Sequence, residues 1–171
     1  RRSSDLIGTF YEYVGNKEAL AALTIHIRVK GLAQALQTGI DASQHTSVID
    51  LAMDLIDGQI QRVSQDAPSW AALFLLERQI SAPDAYRKHY DQFVALWTQA
   101  LAPALTECPA PEIQTAARTI HGVVYGLVSQ ELITMGDQAH LLALGVQIKT
   151  LVRQYLLSIL TTRDLFQPHS P

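Results

Sequence analysis

A chain of 171 residues that is 48% hydrophobic and 17% charged, with a formal net charge of −3, is sized for one domain with a substantial core and is not a nucleic-acid coat. The charge is uneven, with five Lys/Arg against three Asp/Glu in residues 1–30 and eight against thirteen in the remainder. Cys108 is the lone cysteine, which excludes an internal disulfide and makes the reducing cytoplasm the expected setting, and the longest apolar run, Trp70 to Leu76, excludes a membrane span of roughly 18 residues.

Apolar spacings near 3.6 recur along the whole chain and no sustained alternation is flanked by turn dipeptides, so the predicted class is all-α. Breaks at Val14-Gly15-Asn16, Gly39 to Thr46, Ala67-Pro68, Ala82-Pro83, Cys108 to Pro111 and Gly136-Asp137 divide it into seven predicted helices. Arg1-Arg2-Ser3-Ser4-Asp5 has no apolar signal-peptide region behind it and no initiator Met, so Arg1 is expected not to be the natural first residue.

The first predicted helix is short, from about Ser4 to Tyr13. The second starts after Asn16, a residue suited to capping, and runs to about Gln37. Leu20, Leu23, Ile27 and Leu32, widened by Ile25, Val29 and Leu36, make it apolar on more than one face, as in a helix packed between layers. The third, about Ser47 to Gln65, turns Ile49, Met53, Ile56 and Ile60 inward and places Asp50, Asp54 and Asp57 on another face. With no further ligands at fixed offsets, that acidic stripe reads as the wet side of the helix, and no metal is expected.

The fourth opens with Pro68 and is nearly all apolar until Glu77 and Arg78, which predicts a central position. The fifth, about Pro83 to Glu107, carries Tyr86, Tyr90, Phe93 and Trp97 as one stripe, with Pro103 expected to kink or end it. The sixth and seventh, about Pro111 to Met135 and Gln138 to Thr162, are apolar over broad arcs, the last marked by Leu141, Leu144, Ile148, Leu151, Tyr155 and Ile159. Gly122, Gly126 and Ser129 recur on the sixth helix, where glycine costs about 1 kcal/mol relative to Ala, so a packing reason is expected. Either they fit a tight crossing within one chain, or they form, with Ile148 and Tyr155, the seam of a homodimer that joins the last two helices of each copy in a four-helix bundle. The dimer is the reading taken.

Gly8-Thr9-Phe10-Tyr11-x-Tyr13-Val14, followed by Asn16-Lys17-Glu18-Ala19-Leu20, is the most informative stretch. It resembles the end of the helix-turn-helix of the tetracycline-repressor (TetR) family, where a Gly-Thr-Leu-Tyr-x-aromatic-Phe run meets Ser-Lys-Glu-x-Leu. The resemblance implies a recognition helix that presents Thr9, Tyr11 and Tyr13 to operator DNA, with Lys17 on the phosphate backbone. It also implies a division into residues 1–36, the remnant of a DNA-binding domain, and 37–171, an effector-binding and dimerising body. The two helices that precede the recognition helix in that family are absent before Asp5, so this chain alone is expected to bind DNA poorly.

Members of that family hold small-molecule effectors among the helices of the body. The resemblance therefore implies a pocket, for which Trp70, Phe74, Tyr90, Phe93, Trp97 and Tyr125 are the apolar wall candidates. Glu77, Arg78, His26 and His121 are the candidates for orienting a ligand. Each has a plainer alternative: the aromatics as core, Glu77 with Arg78 as the wet end of a helix, His121 as a satisfied buried imidazole. The aromatic wealth favours a hydrophobic or aromatic effector. No nucleophile elbow, phosphate loop or His-Glu-x-x-His is present, so no catalytic residue and no cofactor is expected. The expected function is a ligand-responsive DNA-binding repressor; a helical enzyme or carrier of a small hydrophobic ligand and a dimeric interaction module are the alternatives.

Overall fold

The computed structural model describes residues 17–135 and 137–164, with side chains as far as Thr161. The described residues form six α-helices and no strand: α1 (Lys17–Asp41), α2 (Val48–Ser64), α3 (Ala67–Ile80), α4 (Pro83–Leu101), α5 (Ala110–Thr134) and α6 (Gln138–Asp164), with a 3-10 turn at Ala102–Ala104 after α4. The first predicted helix and the Asn16 cap lie outside these residues. None of the six is long and apolar enough to cross a membrane.

The helix ends follow local chemistry. Ser47 caps α2 by accepting from the Asp50 N–H at 3.4 Å, and the Asp137 carboxylate accepts from the Ala139 N–H at 2.7 Å as α6 begins. That bond holds Asp137 below the usual carboxylate range. Pro68, Pro83 and Pro111 sit in the first turns of α3, α4 and α5, where their missing N–H leaves nothing unpaired. Pro103 ends α4, as its fixed dihedral and lost donor require.

Two expectations change. The helix read as ending at about Gln37 continues through Gly39 to Asp41. The central position falls to α2 rather than α3: α2 packs on both α1 and α6 and buries Ala52, Leu55, Ile56, Ile60 and Val63, whereas α3 leaves Leu75 and Leu76 about two-fifths exposed, at 43% and 40%. An apolar composition identified a packed helix but not which helix was packed on both sides. Glycines permit the two close crossings of α2. A Cβ on Gly39 of α1 would lie 2.8 Å from Leu55 Cδ2, and one on Gly145 of α6 would lie 2.9 Å from Ile60 Cδ1. Lys149 closes the α2–α6 crossing from outside through a 2.7 Å bond to Asp57, and His45 engages Asp54 at 2.6 Å, so two of the three stripe aspartates have protein partners.

The expected dimer seam is also revised. Gly122 and Gly126 are exposed on α5 with nothing within 4 Å of an added Cβ, so they do not serve a crossing within the chain. Ser129 is fully buried, accepting from Arg78 at 3.0 Å and donating to the Gly126 carbonyl at 3.2 Å. Ile148 is likewise buried, in the α6 seam with Leu141, Val152 and Leu156, and Tyr155 is half-buried against the core. Neither Ser129 nor Ile148 can meet a second copy on this surface. Both helices are apolar on more than one side, and period alone does not say which side faces the core.

These environments predict opposite responses at two glycines. Gly145→Leu overpacks the α2–α6 crossing and lowers unfolding free energy by about 1–3 kcal/mol in urea titration. Gly126→Ala, with open space and better helix propensity, raises it by up to about 1 kcal/mol.

Candidate functional site

Three helices bring most of the expected pocket residues together. On α3 the inward seam is Ala67, Trp70, Leu73, Phe74 and Glu77, at helical spacing, so the repeat that buries two aromatic rings also carries a carboxyl group into the interior. On α4 the stripe presents Tyr90 and Phe93, and α5 supplies His121, Val124, Tyr125 and Val128. Trp70, Phe74, Glu77, Tyr90, Phe93, His121 and Tyr125 all line one cavity of about 50 Å³, closed by Val29 and Leu32 of α1 and Val63 of α2. Ligand pockets for drug-sized molecules run to about 300–1,000 Å³, so as it stands the cavity accepts only a small group. Glu77, Tyr86 and Tyr90 also border a shallow surface groove of about 600 Å³ beside Arg78, Ser81 and Arg87, which places the cavity next to solvent.

Two other candidates fall elsewhere. Trp97 is fully buried one turn beyond the cavity, a core residue whose indole Nε1 has no hydrogen-bond partner. His26 is exposed on α1, but its Nδ1 lies 3.2 Å from Nε2 of His89, which does line the cavity. Tyr86 was read as part of the α4 stripe but not as a wall of the pocket, and His89 and Gln59 were not picked out from sequence. His89 follows Tyr86 by three residues and precedes Phe93 by four, and Gln59 stands in the same relation to Ile56 and Val63, so helical register was the available signal for both. Of the DNA-contact candidates, Lys17 is exposed at the start of α1, and Thr9, Tyr11 and Tyr13 lie outside the described residues.

The polar chemistry centres on Glu77, which is only 3% exposed. The Tyr125 hydroxyl donates to Glu77 Oε2 at 2.8 Å, while His89 Nδ1 stands 3.8 Å from Oε1, too far for a hydrogen bond and without any other partner. Burial, reinforced by Glu77, pushes the Tyr125 hydroxyl far above its ordinary pKa and keeps it a donor. His89 is lowered, first by burial, against the opposing pull of Glu77. His121 lies flat on Phe93, with ring centroids 5.2 Å apart and planes 6° from parallel, and meets Tyr90 and Tyr125 at 5.4 and 5.6 Å. Its imidazole makes no hydrogen bond among the described residues, and burial lowers its pKa to about 4, so it is neutral at pH 7. The cavity is thus an aromatic enclosure that offers acceptors: a carboxyl with one oxygen unbonded, and neutral imidazoles. Among the described residues no three potential ligand side chains are grouped to hold a metal ion. Comparison of the chain with protein-family models, curated proteins and solved structures finds no match in any of the three.

The His121 environment sets a pH dependence. Its folded-state pKa of about 4 lies below the unfolded value of 6.5, so between these values the unfolded chain binds more protons and stability falls as pH falls. The loss by pH 4 is about 3 kcal/mol. His121→Phe keeps the stack on Phe93 and removes the titration, so urea unfolding of wild type and variant at pH 7 and pH 4 is expected to differ in pH response by about that amount.

Proposed function

We propose that this chain is the effector-binding and dimerising part of a ligand-responsive DNA-binding regulator of the tetracycline-repressor type, a repressor that leaves its operator when a small molecule enters the α3–α4–α5 cavity. The observation that carries this reading is the gathering of seven residues, Trp70, Phe74, Glu77, Tyr90, Phe93, His121 and Tyr125, around one cavity. A packed core has no use for an unbonded carboxyl oxygen and an unpartnered imidazole in the same cavity.

Two further features agree with it. The segment that resembles the end of a helix-turn-helix runs directly into α1, and α1 lines the cavity through Val29 and Leu32. Ahead of those residues, Leu23 and Ile27 are 52% and 60% exposed, with Leu20 beside them, an apolar surface where a DNA-reading unit would rest. Pairing of two copies through α5 and α6 is supported by the open Gly122 and Gly126 face and by exposed Leu142, Val146 and Leu151. In such a dimer the reading heads engage DNA together only when about one turn apart, and the effector acts by favouring a different spacing.

The test is DNA binding by the natural full-length protein to DNA flanking its own gene, at two salt concentrations. Specific, salt-sensitive binding is expected, and Lys17→Ala is expected to weaken it across all sequences and make the salt slope shallower by about 1. Binding no better than to random DNA would leave the cavity to a carrier or an enzyme. Gly126→Leu has room to fold and is expected to weaken the dimer in sedimentation; an unchanged dimer would place that glycine outside the interface.

A further inference from the structure

We infer that the cavity takes a small organic cation, a protonated amine carried on an apolar or aromatic body, whose N–H groups bond to Glu77 and whose charge lies against the aromatic walls. The inference rests on the reading of the cavity as a ligand site and adds the chemical class.

Glu77 is almost wholly buried and has one donor, the Tyr125 hydroxyl on Oε2. No donor lies within hydrogen-bonding distance of Oε1 among the described residues; His89 Nδ1 stops at 3.8 Å and is itself unpartnered. The neighbouring cation is spent elsewhere, since the Arg78 guanidinium reaches Ser129 at 3.0 Å. A carboxylate placed in an apolar interior without a counter-charge is disfavoured, and a partner cation is what removes that penalty. An ammonium beside Oε1 supplies it, and its remaining N–H groups meet acceptors, because His89 and His121 are both biased toward the neutral imidazole by burial.

The walls select in the same direction. Phe74 and Tyr125 meet edge to face at 5.4 Å, and Tyr86, Tyr90 and Phe93 border the same space, an arrangement of electron-rich rings that stabilises a desolvated cation. An anion would face Glu77 at close range. A neutral apolar guest would fill volume but leave Oε1 unbonded. The 50 Å³ cavity admits the charged head and its first carbons, and the adjoining groove past Tyr86 and Tyr90 gives the rest of the body a way out toward solvent.

Three nearly isosteric probes separate the possibilities: benzylamine, benzyl alcohol and benzoate, titrated calorimetrically into the protein at pH 7.5. Benzylamine is expected to bind at least tenfold more tightly than benzyl alcohol, with benzoate weakest. Glu77→Gln is expected to lower benzylamine affinity at least tenfold with little change for the alcohol. Benzyl alcohol binding as well as the amine in the wild-type protein would overturn the cation assignment and leave the cavity a ligand site. Failure of all three probes to bind would overturn both.

Discussion

The hydrogen bond from Tyr125 to Glu77 joins α3 to α5 across the cavity, and the remaining geometry of the site follows from the need to accommodate it. Glu77 enters the interior because it falls on the same helical seam as Trp70, Leu73 and Phe74; α3 cannot bury its aromatic rings against α5 without burying this carboxyl as well. One oxygen is satisfied by the only hydroxyl that α5 offers there. The other faces His89, whose Nε2 is already engaged by His26, and the two groups stop short of a bond. An apolar residue at position 77 would pack this seam at lower cost, so packing alone does not account for the carboxyl.

Much of this arrangement was legible in the sequence, for a specific reason. Helical period is a local property, so the all-α class, the proline starts of three helices and the end of α4 at Pro103 could be read off short windows. The aromatic stripe of α4 was equally plain, but a stripe has no marker for where a cavity stops. Trp97 therefore joined the pocket candidates although it lies one turn past the cavity, in solid core. His89 and Gln59 were overlooked for the converse reason: each is a polar residue on an inward seam, and only the packing of α4 against α1 and of α2 against its neighbours gives that position chemical meaning. The sides of α5 and α6 were undecidable from period because both helices are apolar nearly all round; Ser129 and Ile148 went inward, Gly122 and Gly126 outward.

In the proposed regulator, α1 would be the connection between the cavity, which it lines near its middle, and the segment ahead of Lys17. It touches the cavity through Val29 and Leu32, and His26, one turn nearer its start, is tied to His89 on α4 at 3.2 Å. From Gly39 to Lys17 the helix rises about 33 Å, so a tilt of about 2° at the Gly39 end displaces the start of α1 by about 1 Å. Gly39 holds the far end of α1 tightly on α2, which makes that crossing the natural pivot. The arms are unequal: the pivot lies ten residues beyond Val29, and Lys17 twelve residues before it.

Such a lever transmits only if the occupied and empty cavities differ in free energy between two tilts of α1. The His26–His89 contact supplies one source of difference. A guest that bonds to Glu77 Oε1 must come within reach of His89 Nδ1, and any rotation of that ring to meet it alters the bond its other nitrogen makes with α1. Filling a cavity of about 50 Å³ supplies another, because a guest larger than that space must push its walls outward, and Val29 and Leu32 are the walls contributed by α1. The buried residues of α1 are Ile25, Val29, Ala33 and Leu36, none earlier than Ile25, so the described core holds this helix from its third turn onward.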